Sequence, residues 1–541
     1  MNKFVLFAML ASVPAGMASS QGAPGIDPAR LSAHVRTLAS DAFEGRAPGT
    51  EGERRTIAYL TAQFTAAGAL PGGENGGWTQ AVRMNRYTIT GPRELRVTGS
   101  RADCSFEPGE DMLVSTRNPA PRVDVANAPL VFAGHGVVAP EHDWNDYAGL
   151  DVRGRIVVVL SNDPDHAQPS GPFGGRALSY YGRGGVKAEE AARRGAVGMI
   201  VIHDPAVSDN AWDILRAVNS APANGLPGGG DAALAFVATA RLDFVRRLFT
   251  CAGVDLAAQQ QAATRQGFRG GALNDLRFSA RFDVRVEQTV THNVIARLPG
   301  RTRPDEAFIY TAHWDHMGRG RPDSTGDTIY NGAMDNAGGV AGLIELARLF
   351  ASGPRPERSI LFIATTLEES GLLGAEYYAR HPLYPLETTV GGINMDAVNL
   401  FGPTGTMEVT GLGKSTLEDH LGRELAATGR RMQDDPNSVV GFYYRSDHFP
   451  FARQGVPFLF AGSGWELVPE RAPNRRDPQV GTRFHQPSDE WEESLDFAAA
   501  ARDMMLYYRV GLRLANSREW PQWRPGAEFR AIRTRSDRRR R

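Results

Sequence analysis

The chain has 541 residues, with 60 lysine and arginine residues against 61 aspartate and glutamate residues, so its formal net charge is −1. This balance gives no reason to expect nucleic acid as a partner. The length is sufficient for two or three domains, and the content of glycine, proline and apolar residues is that of an ordinary globular protein.

The first residues have the pattern of a secretory signal. Lys3 precedes a short apolar run over residues 4–10, and the small residues Ala18, Ser19 and Ser20 follow. We therefore predict a signal peptide over residues 1–20 and a secreted or periplasmic protein. The alternatives are a buried N-terminal helix and a membrane anchor, but the run is short for a bilayer. No other segment is apolar and long enough, so we expect no stable membrane insertion.

Residues 27–125 are predicted to form the N-terminal part of the main domain. Asp27 and Pro28 are typical of a helix start, and Ile57, Leu60 and Phe64 share one face of a second helix. The Gly- and Pro-containing stretch 41–50 between them is predicted as a loop.

Residues 126–274 change in character and predict a smaller, separate α/β or β-rich domain. Apolar runs at 129–136, 156–160 and 198–202 indicate strands, and residues 187–194 indicate a helix. Of the two cysteines, Cys251 lies in this domain and Cys104 before it. The sequence leaves open whether they form a disulfide or stay two buried thiols.

Residues 279–515 alternate between apolar strands and helices. This order predicts an α/β fold with a mostly parallel (mixed) central sheet covered by helices on both faces. The basic tail, 517–541, is predicted to be a solvated, partly disordered extension, with docking to an acidic surface as the alternative. The predicted strands are 293–297, 307–311, 359–365, 390–395 and 456–460, and the predicted helices are 338–351, 415–428 and 495–512.

Histidine and carboxylate side chains follow the predicted strands of this last domain. Ligands bind at the carboxyl ends of strands in such sheets, and mixed imidazole and carboxylate donors suit zinc. Two zinc ions need a shared carboxylate, for which we choose Asp335, and Glu368 remains as a base for water. Asp315 is placed to orient the imidazole of His313. The predicted metal ligands are His313, Asp335, Glu369, Asp396 and His485.

Taken together, these motifs resemble metallopeptidase family twenty-eight, which includes dizinc aminopeptidases, glutamate carboxypeptidases and transferrin-receptor-like proteins. The resemblance covers nearly all of the chain after the signal. Within the family, the chain looks like a bacterial member with an inserted protease-associated domain over 126–274. It is carried by residues 291–294, 313–316 (His-Trp-Asp-His), 331–339, 368–371 (Glu-Glu-Ser-Gly), 394–396 (Asn-Met-Asp), 445–448 and 484–489.

The resemblance implies two zinc ions per chain, peptide substrates and a zinc exopeptidase fold over 279–515. One zinc would be held by His313, Asp335 and Asp396, and the other by Asp335, Glu369 and His485. Glu368 would act as general base.

A substrate pocket is implied near Arg445, whose backbone carbonyl contributes in relatives. Several relatives carry a tyrosine where this chain has Phe484, which has no hydrogen to donate. Tyr443 and Tyr444 are the candidate replacements, with ordinary packing as their alternative role.

An aminopeptidase is therefore the predicted function. A carboxypeptidase or other peptide or amide hydrolase of the same family is the first alternative. A glutaminyl-cyclase-like transferase with one zinc and a non-catalytic receptor-like binding protein are the others, and the complete set of ligands argues against both.

Overall fold

The computed structural model describes residues 25–99, 106–207, 211–464, 468 and 482–540. The predicted signal peptide, residues 1–20, and Cys104 lie outside the described residues, whereas Cys251 is on the helix Leu242–Ala252. None of the described helices combines the length and the apolar character that crossing a membrane requires.

The C-terminal part of the chain forms one end of a large mixed sheet. Its central strands Phe458–Ser463, Thr389–Asn394, Arg303–His313 and Arg358–Thr365 are neighbours in that order and run parallel. Thr406–Val409, which pairs in parallel with the edge strand Arg431–Asp434, is antiparallel to this group. The predicted mostly parallel mixed sheet is confirmed.

Helices cover both faces of this sheet. Phe308 and Tyr310 belong to the hydrophobic core on one face and Ile309 to the core on the other, as expected from the alternation of side chains along a strand. Burial on both faces explains why these strands are nearly continuous apolar runs. The first face carries Pro28–Leu38, Glu51–Ala66, Gly338–Ser352, Leu417–Ala426 and Phe497–Ala515, and the second carries Leu373–Arg380 and His448–Arg453.

The middle of the chain forms the other end of the sheet around a separate hydrophobic core. Arg122–Phe132 and the three strands named below run parallel to one another, and Met112–Ser115 pairs antiparallel at the edge. Met112–Ser115 and the first residues of Arg122–Phe132 precede residue 126, and the division into domains at 126 and 274 stays a prediction. The other strands are Ile156–Leu160, Gly198–His203 and Phe236–Arg241, and the helices are Gly184–Arg193, Trp212–Ser220, Leu242–Ala252 and Leu256–Ala263.

One long strand, Gly271–Leu298, connects the two ends of the sheet. It pairs with Arg122–Phe132 near its start and with Arg358–Thr365 at its end, and Thr79–Thr98 runs antiparallel along it. The sequence predicted only residues 293–297 of this strand, which contain the continuous apolar run 294–296. The alternation of buried apolar and exposed charged residues over 280–285 is also typical of a strand, and the prediction did not use it. Short strands are Leu70–Pro71, Val138–Ala139, Trp144–Asn145, Ala223–Gly225, Gly318–Arg319 and Ile329–Tyr330.

The prediction of a solvated, partly disordered C-terminal tail is wrong for the described residues. Trp523 and Phe529 are buried, and the helix Arg530–Arg540 follows. The buried guanidinium of Arg533 donates hydrogen bonds of 2.9 Å to the carbonyls of Thr389 and Val390. These carbonyls lie at the start of a central strand, so the basic tail satisfies backbone groups of the core sheet.

Candidate metal centre

The predicted metal ligands meet at one edge of the central sheet. His313 is the last residue of Arg303–His313, whose two parallel neighbours end just before Glu368-Glu369 and before Asp396. Parallel strands present their carboxyl ends at the same edge, so residues far apart in the chain become neighbours there. Asp335 reaches the site from the turn Ala333–Ala337 that precedes Gly338–Ser352, and His485 comes from a loop.

Asp335 lies between the two imidazoles. Its Oδ1 is 3.1 Å from His313 Nε2, and its Oδ2 is 3.1 Å from His485 Nε2. His313 Nε2 is also 3.3 Å from Asp396 Oδ1, and His485 Nε2 is 3.1 Å from Glu369 Oε2. The donors thus divide into two groups that share the Asp335 carboxylate, one oxygen to each group.

The donor set fits zinc. Ligand atoms of His313, Asp335 and Glu369 lie within 4.8 Å of one another, and so do those of His313, Glu368 and Asp396. Imidazole nitrogens and carboxylate oxygens are zinc donors, and a carboxylate placed between two such groups is the element that a pair of ions requires.

Without metal, contacts between the donor side chains affect their protonation more strongly than burial does. Burial disfavours the charged carboxylate of Asp335, but the hydrogen bonds from His313 and His485 outweigh burial, so the pKa of Asp335 is lowered. Burial likewise opposes a charged His485, yet its contacts with Asp335 and Glu369 raise its pKa to about 10. A bound cation must therefore displace protons held by these imidazoles.

Glu368 lies beside the ligands in a different electrostatic environment. Burial raises its pKa well above the ordinary value, against the attraction of His313, and the negative charge of Asp396 adds to the increase. Its backbone N–H donates to Asp315 Oδ1 at 3.2 Å. A carboxyl group whose proton affinity is raised beside a metal site suits proton transfer.

Neighbouring groups hold the ligands in place. Asp315 contacts His313 through its backbone carbonyl, 3.1 Å from Nδ1, whereas its Oδ1 is 3.9 Å away. His316 Nδ1 is 2.6 Å from Glu369 Oε1. Ser446 Oγ donates to Asp396 Oδ2 at 2.5 Å. Asp315 therefore orients His313 chiefly through its main chain.

Asp489 fixes the turn that carries Asp335. Its carboxylate accepts the backbone N–H groups of Met334 and Asp335 at 3.0–3.2 Å. Burial raises the pKa of Asp489 to about 6, and these N–H groups oppose the increase. Asp489 belongs to the motif 484–489, but the sequence did not indicate this role.

Arg46 is a residue of the site region that the sequence did not identify. It is 1 % exposed, and its guanidinium donates to the carbonyls of Trp314, Asn331 and Gly332 at 2.6–2.9 Å. It also donates to the carbonyl of Leu38 at 2.9 Å. One buried arginine thus links the segment after His313 to the segment before Asp335. Its only signal in the sequence is an arginine within a Gly- and Pro-containing loop.

The ligands open into a cavity of about 360 Å³. The ring of Phe484 stacks on that of His485 with centroids 3.9 Å apart, and Phe484 is 45 % exposed. Tyr444 lines the cavity, but its hydroxyl donates to Glu528 at 3.0 Å. Tyr443 is not among the lining residues and its hydroxyl is buried. Arg183, from the middle of the chain, and Arg445 also line it.

Comparison with known proteins finds similarities in the C-terminal region. Residues 293–509 match the model described as Peptidase family M28. A "Probable zinc metalloprotease" of Pyrenophora tritici-repentis is 37% identical over 207 residues, covering 37% of this chain and 47% of that protein. "Aminopeptidase NAALADL1" of Mus musculus is 34% identical over 118 residues, covering 21% of this chain and 14% of that protein.

The chain thus spans less than half the length of these curated relatives. Among solved structures, an aminopeptidase from Aneurinibacillus sp. strain AM-1 is 19% identical with a TM-score of 0.49, covering 92% of this chain and 95% of that chain. The family match includes the predicted ligands His313, Asp335, Glu369, Asp396 and His485. Residues 293–509 of the chain are therefore similar to Peptidase family M28.

Proposed function

We propose that the chain is a zinc-dependent aminopeptidase that holds two zinc ions and releases N-terminal residues from peptides. The observation that carries the proposal is the position of Asp335, with one carboxylate oxygen toward His313 and the other toward His485. Asp396 completes the first group of donors and Glu369 the second.

Glu368 is the proton carrier of the proposed reaction. Zinc bound at this site supplies Lewis-acid chemistry that lowers the pKa of a water and polarises the peptide carbonyl. Glu368 accepts the proton of the water and later gives it to the leaving amine. Its carboxyl group suits both steps, because burial raises its proton affinity while it remains within the cavity.

Substrate contacts are assigned by position in the cavity. Phe484, stacked on His485 and partly exposed, offers an apolar surface beside the metal ligands. Arg445 also lines the cavity, next in the chain to Ser446, whose hydroxyl donates to Asp396. We do not extend this role to Tyr443, which lies outside the cavity lining, or to the hydroxyl of Tyr444, which Glu528 already binds.

The proposal includes the organisation predicted from the sequence. The protein is exported by the signal over residues 1–20, and the segment 126–274 is an inserted protease-associated domain beside the peptidase domain. Export brings the enzyme to extracytoplasmic peptides.

The experiment compares substrates that differ only at the N-terminus. A leucyl anilide and its N-acetylated form are incubated with the protein, with and without a chelator. We expect hydrolysis of the free amine, no hydrolysis of the acetylated form, and loss of activity with the chelator that zinc restores. Equal hydrolysis of both forms would exclude an aminopeptidase.

A carboxypeptidase is the second candidate, favoured by two arginines in the cavity lining. The guanidinium of Arg183 lies 4.7 Å from the ring centroid of Phe449 and 5.8 Å from that of Tyr444. Among the described residues no carboxylate is within ion-pair distance of it. An arginine of this kind could bind a C-terminal carboxylate. Cleavage of N-acetylated peptides that stops when the C-terminus is amidated would establish this candidate.

A further inference from the structure

A second groove continues from the metal cavity. It has a volume of about 330 Å³ and shares Arg183, Gly371 and Leu372 with the lining of the metal cavity. One wall comes from the start of the helix Gly184–Arg193 and the loop 225–231. The opposite wall comes from the helices Leu373–Arg380 and His448–Arg453. We call this space the distal groove.

Five glycines line the distal groove. A Cβ atom at Gly185 or Gly371 would meet nothing within 4 Å, so both residues border open space. Gly225, Gly229 and Gly230 belong to the loop of the same wall, but a Cβ at Gly225 would meet Arg117 at 3.0 Å and one at Gly230 would meet Glu189 at 2.8 Å. At Gly185 and Gly371, where the wall carries no side chain, another backbone can approach closely.

The charges of the distal groove are largely neutralised in pairs. Arg453 contacts Glu189 at 2.5 Å and Glu376 at 3.6 Å, and Glu376 contacts Arg380 at 2.6 Å. Arg117 pairs with the lining residue Asp231 at 2.8 Å. Arg183, where the distal groove meets the metal cavity, is the exception, since no carboxylate of the described residues is within ion-pair distance of it. Beyond Arg183 the paired charges favour a polar, uncharged chain over an ion of either sign.

We propose that the distal groove binds the leaving part of a peptide substrate, beyond the residue that follows the cleaved bond. This inference rests on the proposed aminopeptidase function, in which the N-terminal residue stops at the metal centre and the rest of the chain extends outward. The shared residues Arg183, Gly371 and Leu372 make the distal groove a direct continuation of the metal cavity. The substrates are therefore peptides of several residues, which the protein prefers to dipeptides.

Two adjacent glycines allow a matched test. Gly184 and Gly185 begin the same helix, both are exposed, and a Cβ at either meets nothing within 4 Å. Only Gly185 lines the distal groove. Gly185→Phe narrows the groove, and Gly184→Phe is the control. Val186→Phe is a second narrowing change on the same wall.

The measurement is kcat/KM for Leu-Gly and for Leu-Gly-Gly-Gly-Gly with each zinc-loaded protein. We expect the wild type to prefer the pentapeptide, and the two narrowing variants to lose about tenfold on it. Hydrolysis of Leu-Gly should stay within about twofold in all variants, and Gly184→Phe should match the wild type on both substrates.

Equal kcat/KM on the two peptides in the wild type would overturn the inference, as would narrowing variants that keep full activity on the pentapeptide. A parallel loss on Leu-Gly would also contradict it, because the change would then act at the metal centre. The aminopeptidase proposal survives each of these results. It fails instead if the wild type hydrolyses neither peptide, and the inference then falls with it.

Discussion

The two ends of the sheet each contain a buried polar cluster, but they balance charge differently. In the middle of the chain, the ammonium of Lys187 donates to the carbonyls of His135, Leu160 and Asn162, at 2.6 and 2.8 Å for the first two. There the cation belongs to the chain, and its hydrogen bonds go to neutral backbone oxygens.

At the metal edge the donors are carboxylates and imidazoles directed toward one another. Asp335 joins the two groups, and Asp489 and Arg46 fix the surrounding backbone. This cluster offers ionic donors to a cation from outside the chain, whereas the Lys187 cluster needs none. Substitutions in the first cluster should therefore change metal binding and activity, and those in the second should change stability alone.

The largest effect is expected for Asp335→Asn. An amide offers one weaker oxygen donor in place of a carboxylate shared between two groups. We expect activity to fall about 10⁴-fold or more and zinc content to fall with it. Elemental analysis and turnover are measured on the same preparation. Normal zinc content in this variant would remove Asp335 from its assigned position between the ions.

The second prediction distinguishes the roles of the adjacent residues Glu368 and Glu369. Glu368→Gln should lower turnover by about 10²–10⁴-fold, because it removes the proton carrier, and should leave zinc content unchanged. Glu369→Ala should lower both, since Glu369 contacts His485 in the second group of donors. If Glu368→Gln keeps near-normal turnover, or loses zinc as Glu369→Ala does, the roles of base and ligand are wrongly assigned.

A smaller effect is expected for Arg46→Lys. A lysine ammonium cannot reproduce the guanidinium contacts with the carbonyls of Trp314, Asn331 and Gly332. We expect zinc affinity to weaken by about 10–100-fold, as for changes that disturb the support of a ligand. Arg55→Lys, at an exposed position nearby, is the control. Affinity is measured by chelator competition, and equal values for both variants would exclude the positioning role of Arg46.

The smallest functional effect is expected for Lys187→Met, which should leave zinc content and turnover unchanged. Burial lowers the pKa of Lys187 from 10.5 to about 7, against the attraction of Asp163 and Asp146. Between these pH values the unfolded chain binds more protons than the folded chain, so stability rises with pH. Relative to the variant, the free energy of unfolding of the wild type should increase by up to about 1.4 kcal/mol per pH unit in this range. Denaturant unfolding at several pH values measures the difference in unfolding free energy between wild type and variant. A difference that does not change with pH would contradict the lowered pKa of Lys187.

Most of the metal edge was predictable, because three of the predicted ligands follow apolar strands and Asp335 precedes a helix, whereas His485 comes from a loop. The positions of His313, Glu369 and Asp396 follow from one rule, the common edge of parallel strands. Arg46 was not predictable, because its partners are backbone carbonyls more than 260 residues away for Trp314, Asn331 and Gly332. Local pattern contains no information about such contacts.

The C-terminal tail shows that the charge of a segment is also insufficient to predict whether its side chains are buried. Residues 530–540 are rich in arginine, which is typical of a solvated segment. Arg533 is nevertheless buried, because strand carbonyls accept its hydrogen bonds and its guanidinium lies 5.3 Å from the ring centroid of Trp520. The two tryptophans and the phenylalanine between 520 and 529 were the available signal for packing.

The number of zinc ions per chain tests the central proposal most directly. Purified protein is supplied with zinc, freed of excess metal by gel filtration, and analysed for zinc against protein concentration. The shared position of Asp335 predicts about two zinc ions per chain. A reproducible value of one or fewer would contradict the two-zinc site.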